Sequence, residues 1–260
     1  MPPRPLSASG SIKILVCAAS GWGKTRLAGT SPGSALFVRP PVDYVDSVLP
    51  ADHSRHKEWV VGNWTEMEDC YEHLRHEGEE KYSWVWLDSI SAYQDIGLDD
   101  LWDVIITEKP HRKRYGLDKG DYWINMQRLG RWVRDVAALS DRGAFNFGIT
   151  AWPAELSPSP EDSDIEQKLM PWVQGKNMSM KVCGYVNMVA FGNITQKGSR
   201  RLQFNETDHV YAKDQFDCTD KGFMLNPTMP KLIEAVDAAR AKKRPVRRTR
   251  QTTRRRTRRG

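Results

Sequence analysis

The sequence predicts an α/β fold in three layers, in which a mainly parallel central sheet is followed by a C-terminal β-meander. Three apolar runs, at residues 12–17, 84–87 and 145–150, are the main observations behind this prediction. The first two runs are almost continuously hydrophobic, as expected for a strand that is buried on both faces of a parallel sheet, and the third is also interpreted as a buried strand. Helical patterns separate the runs, and alternating strands and helices are typical of parallel sheets.

The other elements are placed by the same periodicities and by glycine and proline signals. A short helix starts at Lys24 and is broken by Gly29 and the turn at 31–33. In chain order the later elements are a strand at 35–38, a loop at 40–57, a strand at 59–61, a helix at 65–77, a basic loop at 106–122, a helix at about 123–139, a long irregular loop at 154–175, meander strands at 185–191, 201–204 and 209–213, and a last helix at 230–239.

Length and composition indicate one folded domain with two flexible ends. A chain of 260 residues suits a single α/β domain plus a tail. We expect a flexible segment at 1–10, the folded domain at 11–239 and a disordered tail at 240–260. Because no apolar run is long enough to span a membrane and the N-terminus lacks the apolar stretch of a signal peptide, we expect no membrane association.

Charge is distributed unevenly along the chain. The net charge is +6, but residues 240–260 hold twelve of the 39 lysines and arginines and no acid, so the rest of the chain carries −6. A basic segment without apolar periodicity predicts disorder and salt-dependent affinity for nucleic acid phosphates. A solvated terminus that only aids solubility is the alternative, and residues 242–248 also resemble a nuclear import signal. The tail residues selected as DNA-binding candidates are Arg247, Arg248, Arg254, Arg255 and Arg256.

The segment that joins the first strand to its helix has the pattern of a phosphate-binding loop. Four variable positions precede Gly-Lys-Thr in the run Ala18, Ala19, Ser20, Gly21, Trp22, Gly23, Lys24 and Thr25. In such a loop backbone N–H groups bind phosphate oxygens, the lysine contacts the β- and γ-phosphates, and the threonine hydroxyl ligates Mg²⁺. Alanine replaces the usual first glycine, which costs little if φ is negative there. The alternative is a strand-to-helix turn that binds nothing.

Two later strand ends supply polar side chains that fit the same site. The strand at 84–87 ends in Asp88, which is expected to hold Mg²⁺ through its water shell while Thr25 contacts the metal directly. The strand at 145–150 ends in Thr150, a candidate sensor of the γ-phosphate, and a hydroxyl satisfied by neighbouring backbone is the alternative. The bulky Trp22 is expected to point away from the phosphates, toward solvent, a partner subunit or another ligand.

Together these motifs resemble the RecA-like branch of the P-loop NTPases, and more narrowly the phage-type AAA domain ATPases that include single-strand annealing proteins. The match covers about residues 12–216, and 18–25 and 84–89 are its most specific parts. Supporting matches lie at 31–37, 147–152 and 211–214. The resemblance implies a RecA-like fold that binds ATP and Mg²⁺ and couples hydrolysis to single-stranded DNA in recombination, annealing or replication-associated repair. It also implies a homo-oligomer in the host cytoplasm, with a single-strand binding protein or recombination factor as partner.

The resemblance assigns roles to further residues. In RecA-like assemblies the loops after the metal-binding strand and after the sensor strand face DNA, and here these are residues 106–122 and 153–175. The second loop is rich in acids, whereas the first combines bases with an aromatic ring, as single-stranded DNA requires. The DNA-binding candidates of the first loop are Arg112, Lys113, Arg114 and Tyr115. Lys213 matches a basic position that can reach the γ-phosphate of a neighbouring subunit.

One position departs from the family pattern. Family members carry an acid after the second strand to activate the attacking water, whereas here the strand continues into Arg39 and two prolines. Asp43 is the substitute that we consider for this catalytic role. Two other functions therefore stay open, a nucleotide-gated DNA-binding protein with little hydrolysis and a phosphotransferase such as a nucleotide kinase.

The cysteines and histidines are predicted to have no metal or redox role. The residues that invite a zinc site are His53, His56, Cys70, His73 and His76, the last three closely spaced, but a helix turns Cys70 to the core and His76 away from it. Cysteines without paired spacing indicate reduced thiols, so we expect a cytoplasmic protein. The four cysteines are Cys17, Cys70, Cys183 and Cys218.

Overall fold

The computed structural model describes residues 10–42, 45–156 and 168–243 and has the predicted three-layer α/β architecture. Within these residues the strands are β1 (Lys13–Ala18), β2 (Ala35–Arg39), β3 (Lys57–Val60), β4 (Trp84–Leu87), β5 (Asn146–Ala151), β6 (Pro153–Leu156), β7 (Lys168–Pro171), β8 (Met188–Ile194), β9 (Arg200–Gln203), β10 (Lys213–Asp214) and β11 (Phe223–Leu225). The helices are α1 (Lys24–Gly29), α2 (Pro50–His53), α3 (Trp64–Lys81), α4 (Ile90–Glu108), α5 (Lys119–Asp141), α6 (Lys176–Tyr185) and α7 (Met229–Lys243).

The central sheet is parallel in the middle and antiparallel at one side. The strand order is β11-β9-β8-β1-β5-β4-β2-β3, and β10 pairs with β8 off this path. The strands from β8 to β3 in this order run parallel to one another, whereas β9, β10 and β11 pair antiparallel. This order sets β1 between β5 and β8, so the segment that follows β1 lies at the centre of the carboxyl edge.

Alternating side chains of the sheet fill two apolar layers, because successive strand residues face opposite sides. On one side Leu15 and Cys17 of β1 pack with α3, α4, α5 and α6. On the other side Ile14, Val16 and Ala18 pack with α1 and α7. The helices therefore cover both faces, and the polar site residues are left at the strand ends.

A close approach in the second layer explains one glycine of the sheet. The rings of Trp84 and Trp86 stack with centroids 5.6 Å apart, and the ring of Trp86 lies on Gly148 of β5. A Cβ at Gly148 would stand 2.2 Å from that ring. Trp86 Nε1 also donates to Ser31 Oγ at 2.9 Å, which ties β4 to the end of α1. The aromatic run at 84–86 is thus a core element rather than a stacking surface.

The structure differs from the sequence prediction in several elements. Helices α2, α4 and α6 and strand β11 were not predicted, and the segment expected as an irregular loop at 154–175 contains the β6–β7 hairpin. Helix α4 has no clear amphipathic pattern in its sequence, because its first half, from Ile90 to Leu101, is buried on several sides. The expected strand at 209–213 is reduced to β10 and to isolated bridges at Val210.

The folded part extends beyond the predicted boundary at residue 239. Helix α7 continues to Lys243, and Arg240 donates to the carbonyls of Gly10 and Ser11 and lies 4.8 Å from the centroid of the Phe216 ring. Residues 240–243 therefore belong to the domain and not to the tail. Residues 1–9 and 244–260, with all five tail arginines selected above, lie outside the described residues. Among the described helices, none has the length and apolar character required to cross a membrane.

Candidate functional site

The loop between β1 and α1 has the backbone that its sequence predicts. Gly21 and Gly23 have φ values of +77° and +101°, which L side chains rarely adopt, so glycine is required at both positions. Ala18 does not have a positive φ; it is the last residue of β1 and is fully buried. A first-position glycine is therefore unnecessary here, and the alanine methyl group fills part of the apolar layer instead.

Below the loop, four predicted site residues meet. Thr25 Oγ1 donates to Asp88 Oδ2 at 2.6 Å, and Thr150 Oγ1 donates to Asp88 Oδ1. Lys24 Nζ donates to the carbonyl oxygens of Ala18 and Ala19 at 2.8 and 3.3 Å. The hydroxyl of Thr150 thus binds the carboxylate of Asp88, whereas the alternative considered from sequence was a bond to neighbouring backbone.

The sheet register explains why residues so far apart in sequence converge. Val16 of β1 pairs with Thr150 of β5, and Ile149 pairs with Leu87 of β4. The carboxyl ends of these parallel strands therefore lie side by side, and the residue after each strand enters the same space. Asp88 follows β4 directly, and the peptide bond between Asp88 and Ser89 is cis.

Burial dominates the electrostatics of Asp88. Loss of solvent raises the pKa of its carboxyl group, while the hydrogen bonds from Thr150 and Thr25 and the charge of Lys24 act in the opposite direction. A buried carboxylate that is held by two hydroxyl groups beside a lysine is an oxygen donor set of the kind that Mg²⁺ prefers. The residues present therefore fit a magnesium ion, with Thr25 and Asp88 as the side chains that would hold it.

The prediction that the ring of Trp22 points to solvent, a partner subunit or another ligand is wrong. Only 3% of its surface is exposed, and its Nε1 donates to the carbonyl oxygen of Asn193 at 2.9 Å. The ring lies on Gly192 of β8, where a Cβ would stand 2.6 Å from it. Trp22 is thus a core residue that fastens the loop to the β8–β9 hairpin.

A cavity of about 520 Å³ opens in front of the loop. Residues of the loop and of α1 form one wall, and the segment from Asp46 to Pro50 forms another. Asp88, Ser89, Trp152 and Arg200 complete the lining. Asp46, Trp152 and Arg200 were not predicted as site residues. Trp152 could have been identified from its position directly after β5, whereas Asp46 and Arg200 have no such signal in the sequence. Asp43, the predicted substitute for the missing acid, lies outside the described residues.

Trp152 connects this cavity to the β6–β7 hairpin. Its ring stacks on that of Trp172 with centroids 5.6 Å apart. The backbone N–H of Trp172 donates to the carbonyl of Trp152 at 2.6 Å, and Ser91 Oγ accepts from Trp152 N and donates to the carbonyl of Trp172. The base of the hairpin is therefore fixed to the start of α4, next to the cavity.

The remaining predicted residues lie away from this cavity. Lys213 of β10 pairs with Val189, near the start of β8, and its Nζ donates to the carbonyl of Cys183 at 2.8 Å. Partial burial lowers the pKa of Lys213. Its role toward a neighbouring subunit stays a prediction.

The basic segment after α4 is a 3-10 turn over Pro110–Arg114, followed by the start of α5. Lys113, Arg114 and Tyr115 are exposed. Arg112 differs from them, because its Nη2 lies 2.7 Å from Asp121 Oδ2 and 3.1 Å from Asp118 Oδ2. Arg112 therefore holds the turn against the cap of α5, and its assignment to DNA is not supported by this geometry.

Two of the residues considered for a zinc site, Cys70 and His56, belong to the packing and hydrogen bonding of the domain. Cys70 is buried in the apolar layer, and His56, which is also buried, is placed to hydrogen-bond to Ala35 N and to the carbonyl of Gly29. In the part of the chain that the structure describes, no group of three or more histidine, cysteine or acidic side chains could hold a metal ion.

Comparison with known proteins supports the same interpretation of the loop. A family model described as AAA domain, a family of P-loop NTPases, matches residues 11–216, which include the loop, Asp88, Thr150 and Lys213. No curated protein matches the chain. Because the family model covers most of the chain and spans the whole of β1 to β10, the chain belongs to the AAA domain family of P-loop NTPases.

Proposed function

We propose that the protein is a Mg²⁺-dependent ATPase that acts on single-stranded DNA in recombination, annealing or replication-associated repair. The observation that carries the enzymatic part is the buried carboxylate of Asp88, which accepts hydrogen bonds from Thr25 and Thr150 beside Lys24. Family membership implies nucleotide binding. The proposal goes beyond family membership in three respects: the nucleotide is ATP, the protein hydrolyses it, and the protein acts on DNA.

Each residue of the cluster has a distinct task in this proposal. The loop backbone at residues 20–25 binds phosphate oxygens, and Lys24 exchanges its loop carbonyl partners for the β- and γ-phosphates. Thr25 and Asp88 are the residues that would hold Mg²⁺, and a bound ion would supply positive charge against the charge that develops on the phosphate oxygens. Thr150 orients the Asp88 carboxylate through its hydrogen bond. When the terminal phosphate leaves, we expect the geometry of this hydrogen bond to change.

Activation of water is assigned to Asp46, the second carboxylate among the described residues that line the cavity. Asp46 is exposed and lines the same cavity as the loop, so it is accessible to a water molecule in that cavity. Asp43, three residues earlier, remains the competing assignment. Loss of turnover in Asp46→Asn with normal turnover in Asp43→Asn is expected, and the reverse result would return the role to Asp43.

The DNA part of the proposal relies on charge and exposure. Lys113, Arg114 and Tyr115 offer cations and an exposed ring at one corner of the domain, which is the combination that single-stranded nucleic acid uses for phosphate and base contacts. The arginine-rich tail adds sequence-independent affinity. Assembly into a homo-oligomer and cooperation with a single-strand binding protein follow only from the family resemblance.

A second function is favoured by the end of β2. Arg39 occupies the strand end, and its Nε donates to Glu58 Oε2 at 2.8 Å. This position therefore carries an arginine in an ion pair instead of an acid. A nucleotide-gated DNA-binding protein with little hydrolysis would keep the loop and Asp88 but need no base. A phosphotransferase is the third option.

Steady-state phosphate release with and without single-stranded DNA separates these functions. We expect slow release from MgATP that single-stranded DNA accelerates, and loss of both release and MgATP binding in Lys24→Ala. Lys197→Ala, an exposed lysine of the β8–β9 turn, is the matched control and should behave as wild type. Binding without release, even with DNA, would favour the gated binding protein, and phosphate transfer to a nucleoside monophosphate would favour the kinase.

A further inference from the structure

Arg200 approaches the phosphate-binding loop from the side of β1 that lies away from Asp88. Asp88 follows β4, two strands from β1 in the sheet order, whereas Arg200 is the first residue of β9, two strands away on the other side. Its Nε donates to the carbonyl oxygen of Trp22 at 2.6 Å. The guanidinium lies against Gly23, where a Cβ would stand 3.1 Å from Nε and 3.5 Å from Nη2. The loop is therefore flanked by a fixed cation.

The backbone of Arg200 is held as firmly as its side chain. Asn226 N donates to its carbonyl oxygen at 2.7 Å, and the strand pairs with β8. The next residue shows the contrast, because Arg201 turns to the other face of the strand and its guanidinium lies 4.4 Å from the centroid of the Phe223 ring. Of two adjacent arginines, one packs on an aromatic ring and the other faces the loop.

The guanidinium of Arg200 keeps donors for a ligand. An arginine side chain has five N–H donors, and the bond to Trp22 uses one of them. Within residues 10–42, 45–156 and 168–243, no carboxylate forms an ion pair with Arg200. The side chain is half-buried and lines the same cavity as Lys24, Thr25 and Asp88. A half-buried guanidinium with fixed geometry that pairs with none of the described carboxylates is the arrangement that binds phosphate through paired N–H groups.

We propose that Arg200 binds the phosphate chain of the nucleotide from within the same subunit, and that the bond to Trp22 sets the guanidinium in place for it. This inference rests on the proposed function, since the phosphate belongs to the nucleotide in the loop. Its consequence is that the β8–β9 hairpin is part of the nucleotide site, and that one cation beyond Lys24 is supplied without a neighbouring subunit. Lys213 is not needed for this contact.

Calorimetric titration of wild type, Arg200→Ala and Arg200→Lys tests the inference. We expect Arg200→Ala to lose about 10- to 100-fold in MgATP affinity, the range for a hydrogen bond to a charged group, and Arg200→Lys to lose less because it keeps the charge. Magnesium tripolyphosphate, used as a competitor, should lose affinity by the same factor, since it lacks base and ribose. Lys197→Ala, which removes a cation from the same hairpin, should match wild type.

Thermal unfolding without ligand separates phosphate binding from support of the loop. If Arg200 binds phosphate, the ligand-free Tm of both variants stays close to that of wild type, and the rise in Tm with MgATP shrinks. A ligand-free Tm that falls together with affinity in both variants overturns the inference. So does a loss confined to MgATP, with tripolyphosphate competition absent or unchanged.

The two proposals fail in different ways. Unchanged MgATP affinity in Arg200→Ala, together with lost affinity in Lys24→Ala, overturns the role of Arg200 and keeps the nucleotide site. Wild-type protein that binds no MgATP, or Lys24→Ala that binds it normally, overturns the nucleotide site and with it the role of Arg200.

Discussion

The cavity at the phosphate-binding loop and the basic segment at 109–115 are built in opposite ways. In the cavity, Lys24 and Asp88 are almost fully buried, and Thr150 is fully buried. In the basic segment, Tyr115 is 79% exposed, and Arg112 has the only side chain held by ion pairs within the described part of that segment. Fixed, desolvated groups suit chemistry on one small substrate, because they are pre-organised. Exposed cations and rings suit a flexible polyanion that offers many equivalent contacts.

The largest difference is expected between two tryptophans, Trp22 of the loop and Trp123 of α5, the helix that follows the basic segment. Trp22→Ala should lower the free energy of unfolding by about 3–5 kcal/mol, because it empties a packed site under the loop. Trp123→Ala, at a residue that is 57% exposed beside the basic segment, should change it by no more than about 0.5 kcal/mol. Urea unfolding followed by circular dichroism measures both. Similar losses of stability in the two variants would contradict this difference between Trp22 and Trp123.

Asp88→Asn should separate activity from stability. We expect turnover to fall about 100-fold or more, since a metal ligand contributes several kcal/mol to transition-state stabilisation. Burial raises the pKa of Asp88 in the folded state, so ionisation of this group opposes folding at neutral pH and not below about pH 4. The variant should therefore have a higher Tm at pH 7 without ligand.

A matched measurement at acid pH checks the sign of this effect. The gain in Tm of Asp88→Asn should disappear as the pH falls below about 4, where wild-type Asp88 is protonated in both states. A Tm that is lower than that of wild type at pH 7 would mean that the hydrogen bonds from Thr25 and Thr150 outweigh the cost of burying the charge.

Substitutions of Arg112 and Arg114 test whether one residue of the basic segment stabilises the fold while the other contacts DNA. Arg112→Ala should lower Tm by roughly 2–4 °C, because it leaves Asp118 and Asp121 without their cation. Arg114→Ala should leave Tm unchanged and should reduce the dependence of single-stranded DNA affinity on salt by about one phosphate contact. Fluorescence anisotropy at several salt concentrations gives the second quantity. Equal effects of both variants on DNA binding would return Arg112 to the DNA-binding residues.

The smallest effect is expected from Asp121→Asn as a function of pH. Partial burial raises the pKa of Asp121, but the hydrogen bonds from Arg112 and from Asp118 N outweigh it, so the pKa is lowered overall. A lowered pKa contributes stability above the unfolded value of about 4, and this is lost as the pH falls through the folded value. The difference in Tm between wild type and Asp121→Asn should therefore shrink between pH 6 and acid pH. Asp103→Asn, on the exposed side of α4, is the matched control for the loss of one carboxylate.

Much of the nucleotide site could be predicted because its signals are local. The Gly-Lys-Thr run needs a defined backbone, and Asp88 and Thr150 stand at the ends of apolar strands whose hydrophobicity predicts burial. Parallel strands then bring their carboxyl ends together, as the register of β1, β4 and β5 confirms. By contrast, α4 and α6 lack a clear amphipathic period, and the β6–β7 hairpin has short strands that the loop composition conceals.

The sequence by itself determined the class of fold, the phosphate-binding loop and the four residues that meet beneath it, since each depends on neighbouring residues and on strand ends. Only the tertiary structure decided that Trp22 is buried, that Asp46 and Arg200 line the cavity and that Arg112 is held by acids. Trp22 meets Asn193 and Arg200 across 171 and 178 residues, respectively. Contacts of that separation depend on the order of strands in the sheet, which no local pattern encodes.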